Sequence, residues 1–136
     1  MYKKIIVPVD PAALDKGEKS LRKAASLLDA GGEIVLLTVV EDLPGYLAID
    51  VPVDLIEGAI KDAKAQLVEL KEKTAIAARI EIRSGAPARE ILAASEDHSA
   101  DLIIVASHVP DYSNYFIGAT ADRVVRHSKV SVLVDR

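Results

Sequence analysis

The chain has 136 residues, half of them apolar and only 4% aromatic, with a formal net charge of -4 and no cysteine. That length suits one domain with an aliphatic core built from Val, Ile, Leu and Ala. The composition excludes a disulfide framework, thiolate chemistry and a Cys-type zinc site, and the acidic balance argues against long nucleic acids as partners.

The opening "MYKKIIVPVD" carries two lysines. Its apolar run is too short for a secretory signal and lacks a small-residue cleavage site. No stretch approaches the roughly 18–20 apolar residues of a membrane span. The expectation is a soluble cytoplasmic protein with no membrane partner.

The first strand is expected over Lys4–Val9, "KIIVPV". Leu14, Leu21, Ala24, Ala25 and Leu28 then recur at helical spacing, closed by Gly31 and Gly32. Asp15 followed by Glu18 resembles a capping box at the start of that helix. Glu33–Val40, "EIVLLTVV", reads as the second strand.

The connection Glu41–Asp54, "EDLPGYLAIDVPVD", is long and holds Pro44, Gly45, Tyr46 and Pro52. Such loops are often lids or interaction surfaces, and equally often plain surface excursions. A longer helical stripe follows at Ile56, Ile60, Ala63, Leu67 and Leu70.

Ala78–Ser84, "ARIEIRS", alternates strictly, with Ile80 and Ile82 on one face and Arg79, Glu81 and Arg83 on the other. An edge strand with one wet face reads that way. Pro87, Ile91, Leu92 and Ala94 make a third helix with proline in its first turn. Asp101–Ser107, "DLIIVAS", is a fourth strand, Ala121, Val124 and Val125 a short fourth helix, and Val130–Val134, "VSVLV", a fifth strand. Four of the five strands are apolar nearly throughout, as strands buried on both faces are. The order is βαβαβαβαβ: a single α/β domain over 1–136 with a parallel sheet and right-handed crossovers.

In open sheets of this kind ligands bind at the carboxyl ends of the strands. Those ends are Pro8, Val9 and Asp10; Thr38 to Glu41; Ser84 to Ala86; and Ala106 to Val109. Asp10 suits a ribose hydroxyl, because a carboxylate accepts hydrogen bonds from it, or else caps the turn into the first helix. Neither GxxxxGK[ST] nor GxGxxG occurs. "IGATADRVV" remains, where Gly118 can approach an anion and the amides of Ala119 and Thr120 would open the fourth helix. Thr120 either adds a hydroxyl donor or is only the helix N-cap; the residues leave both open.

His108 lies on the loop after the fourth strand, where it lines the site or serves the turn. His98 and His127 end helices, where a cation suits the dipole. Tyr112, Tyr115 and Phe116 either stack on a base or, the reading favoured by their place, anchor their loop to the core or to a dimer partner. Arg123 and Arg126 on the fourth helix are expected to face solvent or acidic partners unless they bend back to bound phosphates.

The segments "KKIIVPVD", "IVLLTVVED", "SGAPAREIL", "ADLIIVASH" and "IGATADRVVRHSKVSVLV" together resemble the universal stress protein family over essentially the whole chain. The nearest look is to its short single-domain F type. The resemblance implies a three-layer, Rossmann-like fold of the adenine-nucleotide alpha-hydrolase-like class, with an open twisted five-stranded parallel sheet ordered 3-2-1-4-5 and helices on both faces. It implies a nucleotide pocket between strands one and four. Adenine would lie near Val9 and Val39, beside Pro8, and the ribose would meet Asp10. The phosphates would lie along Ala106, Ser107, His108, Val109, Gly118, Ala119 and Thr120.

The chain departs from the family's phosphate loop. The first two loop glycines fall at Ala106 and Val109, the spacer is one residue shorter, and the Ser/Thr position falls at Ala119. In the F type the Val109 position commonly carries arginine. Each lost charge-assisted bond costs about 1.5–3 kcal/mol.

The expected function is a dimeric stress-response regulator that binds an adenine nucleotide: ATP first, AMP or ADP next, with Mg held only through the phosphates. The homodimer would form through the last strand, Val130–Val134. The alternative is a dimer of the same fold that has lost nucleotide binding and works through protein contacts. A hydrolase would need a positioned base and a metal. Asp10 and His108 are the only candidates, and no paired carboxylates or HExxH spacing accompany them. Hydrolysis is therefore expected to be slow at most.

Overall fold

The computed structural model describes residues 1–41, 53–107 and 118–136. Most of Glu41–Asp54 and the aromatic residues Tyr112, Tyr115 and Phe116 lie outside the described residues.

Five parallel strands form one sheet in the order β3-β2-β1-β4-β5. They are β1 (Tyr2–Pro8), β2 (Leu28–Val40), β3 (Arg79–Ser84), β4 (Leu102–Ala106) and β5 (Ser131–Asp135). The helices are α1 (Leu14–Leu27), α2 (Val53–Thr74), α3 (Pro87–Asp97) and α4 (Ala119–His127), with a short 3-10 turn at Pro11–Ala13.

Alternation along the central strands divides the core in two. Ile5, Val7, Ile34, Leu36, Leu102 and Ile104 join Leu21 and Ala24 of α1 and Leu67 and Leu70 of α2. Ile6, Val35, Leu37, Ile103 and Val105 join Ile91 and Ala94 of α3 and Ala121 and Val124 of α4. Two helices therefore cover each face, giving three layers. That is what right-handed crossovers produce when the chain winds outward from β1 first one way and then the other.

Several local expectations change. α1 stops at Leu27, and Leu28 opens β2 opposite Tyr2. Gly31, at φ 81°, permits the irregular register there, while a Cβ on Gly32 would lie 2.8 Å from the Lys3 carbonyl oxygen. Strand pairing with β1 thus wins over continuation of the helix. Ala25 is exposed, as is Val125 of α4. Asp15 and Glu18 form no capping box. The cap residue of α1 is Ala13, without a side-chain bond, and Glu18 reaches out to Lys73 at 2.9 Å.

β3 is an edge strand, with Ile80 and Ile82 packed on the first core. Its polar face is not simply wet. The Arg83 guanidinium bonds Glu81 at 2.8 Å and Asp97 of α3 at 2.6 Å, and lies 3.5 Å from Glu90. His98, which caps α3, brings its Nε2 to 2.9 Å from Glu81. Burial opposes ionisation of both Glu81 and Arg83, but their bonds outweigh it: the Glu81 carboxyl is held below its ordinary range, and the Arg83 guanidinium is stabilised in its charged form. A charged network therefore closes the gap between β3 and α3 where apolar contact would otherwise be expected.

No described helix is long and apolar enough to cross a membrane.

Candidate functional site

β2 and β4 flank β1 on opposite sides, so the chain leaves β1 one way and returns to its other side at β4. The helices after β1 and β4 lie on opposite faces, which opens a crevice at the carboxyl ends of these strands. A cleft with about 670 Å³ of empty space, its open mouth included, occupies this place. Pro8, Val9, Asp10 and Pro11 form one wall, and Leu37, Val39 and Glu41 extend it from β2. Val105 and Ala106 come from β4, and Pro87, Ile91, Thr120 and Ala121 from the starts of α3 and α4.

The first wall is held rigidly. The Val9 amide donates to the Leu37 carbonyl at 2.7 Å, and the Val9 carbonyl accepts from the Thr38 hydroxyl at 3.0 Å. Thr38 is 1% exposed, so its hydroxyl is fully committed to that bond. On the other side Gly17 of α1 packs against Val9 with no room for a side chain.

Asp10 does two things. Its Oδ1 accepts from the Ala12 amide at 2.9 Å, capping the short turn into α1. It also lines the cleft, and its Oδ2 has no partner among the described residues.

Behind the opposite wall, the segments next to its lining residues are held by backbone contacts. Ser107 follows β4; its amide donates to the Asp135 carbonyl at 3.0 Å, and its own carbonyl accepts from the Lys16 ammonium at 2.6 Å. Gly118 is the N-cap of α4 at φ 87°, a left-handed conformation that favours glycine, and no side chain caps this helix. Thr120 therefore sits inside the first turn and is not the cap. Ala86, ahead of α3, likewise has no side-chain cap bond. Two helix starts thus border the cleft with first-turn amides that no side chain satisfies.

The charge in the cleft is polarised. Carboxylates stand at Asp10 and Glu41, and no Lys, Arg or His is among the described lining residues. The start of α4 follows on from the β4 side, and the start of α3 lies beside the end of β2, where the Gly85 amide donates to the Val40 carbonyl at 3.0 Å. Carboxylates accept from hydroxyls and amines, whereas helix starts attract anions. A ligand with sugar-like hydroxyls at one end and an anion at the other matches this layout. Among the described residues no group of carboxylates and imidazoles is placed to hold a metal ion.

Of the residues named from the sequence, Pro8, Val9, Asp10, Val39, Ala106 and Thr120 line the cleft together. Ser107, Gly118 and Ala119 adjoin lining residues along the chain without lining it themselves. His108 and Val109 lie outside the described residues. Glu41, which lines the cleft, and Thr38, which holds its wall, are site residues that the family pattern does not mark, although the end of a strand is the sequence signal for both. Pro87 and Ile91 carry only a helix signal in the sequence, yet both line the cleft. Nothing in the linear spacing brings Lys16 to Ser107; only the fold does.

Residues 1–136 match the universal stress protein family. Universal stress protein G of Shigella flexneri is 31% identical over 145 residues, covering all of both chains. Among solved structures, a universal stress protein from Lactobacillus plantarum superposes with a TM-score of 0.79 at 23% identity, over 99% of this chain and 98% of the other. A universal stress protein from Archaeoglobus fulgidus in complex with dAMP reaches 0.65 at 23% identity, over 99% and 98%. A universal stress protein in complex with cAMP reaches 0.64 at 19%, over 99% and 97%.

Proposed function

The chain belongs to the universal stress protein family, and from that footing we propose that its cleft binds an adenine nucleotide, with ATP the first candidate. One observation supports this above the others. The free side of the Asp10 carboxylate and the uncapped start of α4 face one cleft at the β1–β4 switch point. Adenine would lie against Val9 and Val39, the ribose hydroxyls would meet Asp10, and the phosphates would meet the amides after Gly118. Mg would be held through the phosphates alone. The similarity to proteins solved with dAMP and cAMP supports an adenine ligand.

The protein acts, in this reading, as a cytoplasmic stress-response regulator that switches with its nucleotide, with slow hydrolysis at most. It dimerises along β5, the sheet edge whose Val132, Leu133 and Val134 are only half-buried. Sedimentation would then give roughly twice the 14.6 kDa mass of one chain.

A second reading, a protein-contact module without nucleotide, draws on the exposed Val53 and Leu55 at the start of α2 and on the lack of a cation in the described cleft lining. Protein purified without added nucleotide and then denatured separates the two. Release of ATP, ADP or AMP, with a thermal shift on adding millimolar ATP, supports the first. Neither release nor shift leaves the second.

A further inference from the structure

Lys16, Lys19 and Lys23 form one stripe on α1 above the ends of β4 and β5. Two of them have conventional partners. Lys19 and Lys23 lie 3.7 and 3.4 Å from the carboxylate of Asp135, a residue only 7% exposed. Lys19 also donates to the Arg136 carbonyl at 2.6 Å.

Lys16 differs. It is half-buried, and its ammonium meets the Ser107 carbonyl at 2.6 Å. Among the described residues no carboxylate lies within ion-pair distance of it. Half-burying a lysine has a desolvation cost that a single carbonyl only partly offsets. An ammonium has three N–H donors, and the described contact uses one.

The position of this cation is specific. α1 follows β1 and Ser107 follows β4, so the contact joins the segments after these two strands beside the cleft, next in sequence to the lining residue Ala106. The neighbouring Gly17 is pressed onto Val9, a lining residue, which fixes this turn of α1 at the crevice. The described cleft lining has the N-terminus of α4 on the β4 side but no cationic side chain. A point charge on a flexible four-carbon stem, anchored at one carbonyl, suits an anionic oxygen arriving there.

We propose that Lys16 is the cation that receives the phosphate end of the nucleotide, reaching it from α1 beside the β1–β4 crevice. This rests on the nucleotide reading of the cleft. The remaining ammonium protons bond phosphate oxygens while the Ser107 carbonyl keeps the side chain in place. The contact is strongest for polyphosphates and absent for the bare nucleoside.

The test is calorimetric titration of the full chain with ATP, AMP and adenosine, for wild type, Lys16→Gln and Lys16→Arg, each with its urea midpoint. Glutamine keeps a donor for the Ser107 carbonyl and removes the charge. The expected result is a loss of roughly tenfold or more in ATP affinity for the glutamine variant, little change for adenosine, and near-wild-type ATP binding for the arginine variant. ATP binding unchanged in Lys16→Gln overturns the proposal. So does an equal loss for ATP and adenosine with a lowered midpoint, since Lys16 would then only hold the fold at Ser107. If Lys16→Gln does not fold, Lys16→Met takes its place: a selective loss of ATP affinity with adenosine binding kept supports the proposal, and unchanged ATP binding or an equal loss for both overturns it. Wild type that binds none of the three ligands removes the nucleotide reading itself, and this proposal with it.

Discussion

Gly17 on α1 and Val9 beyond β1 are in direct contact: a Cβ built on Gly17 would lie 2.6 Å from Val9 Cγ1 and 3.1 Å from Cγ2. This contact sets the separation of α1 from the sheet at the cleft wall. Gly17→Ala gains about 1 kcal/mol of helix propensity. It also forces a buried β-branched side chain to move, at about 1–3 kcal/mol. We expect a net loss of about 1 kcal/mol in urea unfolding, together with weaker nucleotide binding. A variant at least as stable as wild type would show that the helix can shift freely.

Asp10 can be divided into its two roles. Asp10→Ala removes the bond to the Ala12 amide, which should cost about 1 kcal/mol of stability. It should also lower nucleotide affinity roughly tenfold or more. Asp10→Asn retains a capping oxygen but loses the charge. We expect it to recover the stability and only part of the affinity. Recovery of both in full would leave Asp10 as a cap alone.

The acid limb of stability should depend on Asp101 and Glu81. Burial raises the Asp101 carboxyl, but the amides of Lys3 and Lys4, at 2.9 and 3.0 Å, outweigh it and hold it below the ordinary aspartate range. Glu81 is depressed by Arg83 and His98 against its own burial. For a depressed carboxyl the folded state binds its proton less readily than the unfolded one. The stabilisation is therefore complete above the ordinary carboxylate range near pH 4, and is lost as pH falls through the folded values. Asp101→Asn and Glu81→Gln should each flatten the decline of the urea midpoint between about pH 5 and pH 2. A decline as steep as wild type in both would assign it to other carboxylates.

Arg83 is the common partner of Glu81, Glu90 and Asp97, with a side chain 18% exposed. Arg83→Met leaves these carboxylates facing one another between β3 and α3. We expect about 1–3 kcal/mol of destabilisation at low salt, smaller at high salt, where like-charge repulsion is screened. A loss that does not change with salt would mean that packing of the arginine stem, not charge, holds β3 to α3.

The central strands are legible because they are buried on both faces: Ile5, Ile6, Val7 and Ile34 to Leu37 form short β-branched and leucine runs of the kind interior parallel strands carry. The helix–strand alternation followed from two hydrophobic periods, and chirality then left few topologies. Boundaries were less legible. Leu28 has helical spacing with Leu21 and Ala24, yet it pairs with Tyr2, because a strand partner across the sheet outweighs one more turn of helix. The capping box does not form because α1 begins at Leu14, which puts Asp15 inside the first turn and Ala13 at the cap.

The site was half legible. Strand ends are fixed by topology once the strands are known, which brings Val9, Asp10, Val39 and Ala106 into view together with neighbours such as Thr38 and Val40. The family resemblance is what singles out Val9, Val39 and Ala106 among them. Thr120 was found without its role, since only the backbone at Gly118 shows where α4 begins. The bond of the Thr38 hydroxyl to Val9, the Arg83 network and the reach of Lys16 to Ser107 join residues that are adjacent only after folding. Periodicity in the sequence determines which face of each element is buried, because burial is decided residue by residue. It holds no record of which polar side chains meet across elements, and those meetings, set by how the helices seat on the sheet, decide the charge and shape of the cleft.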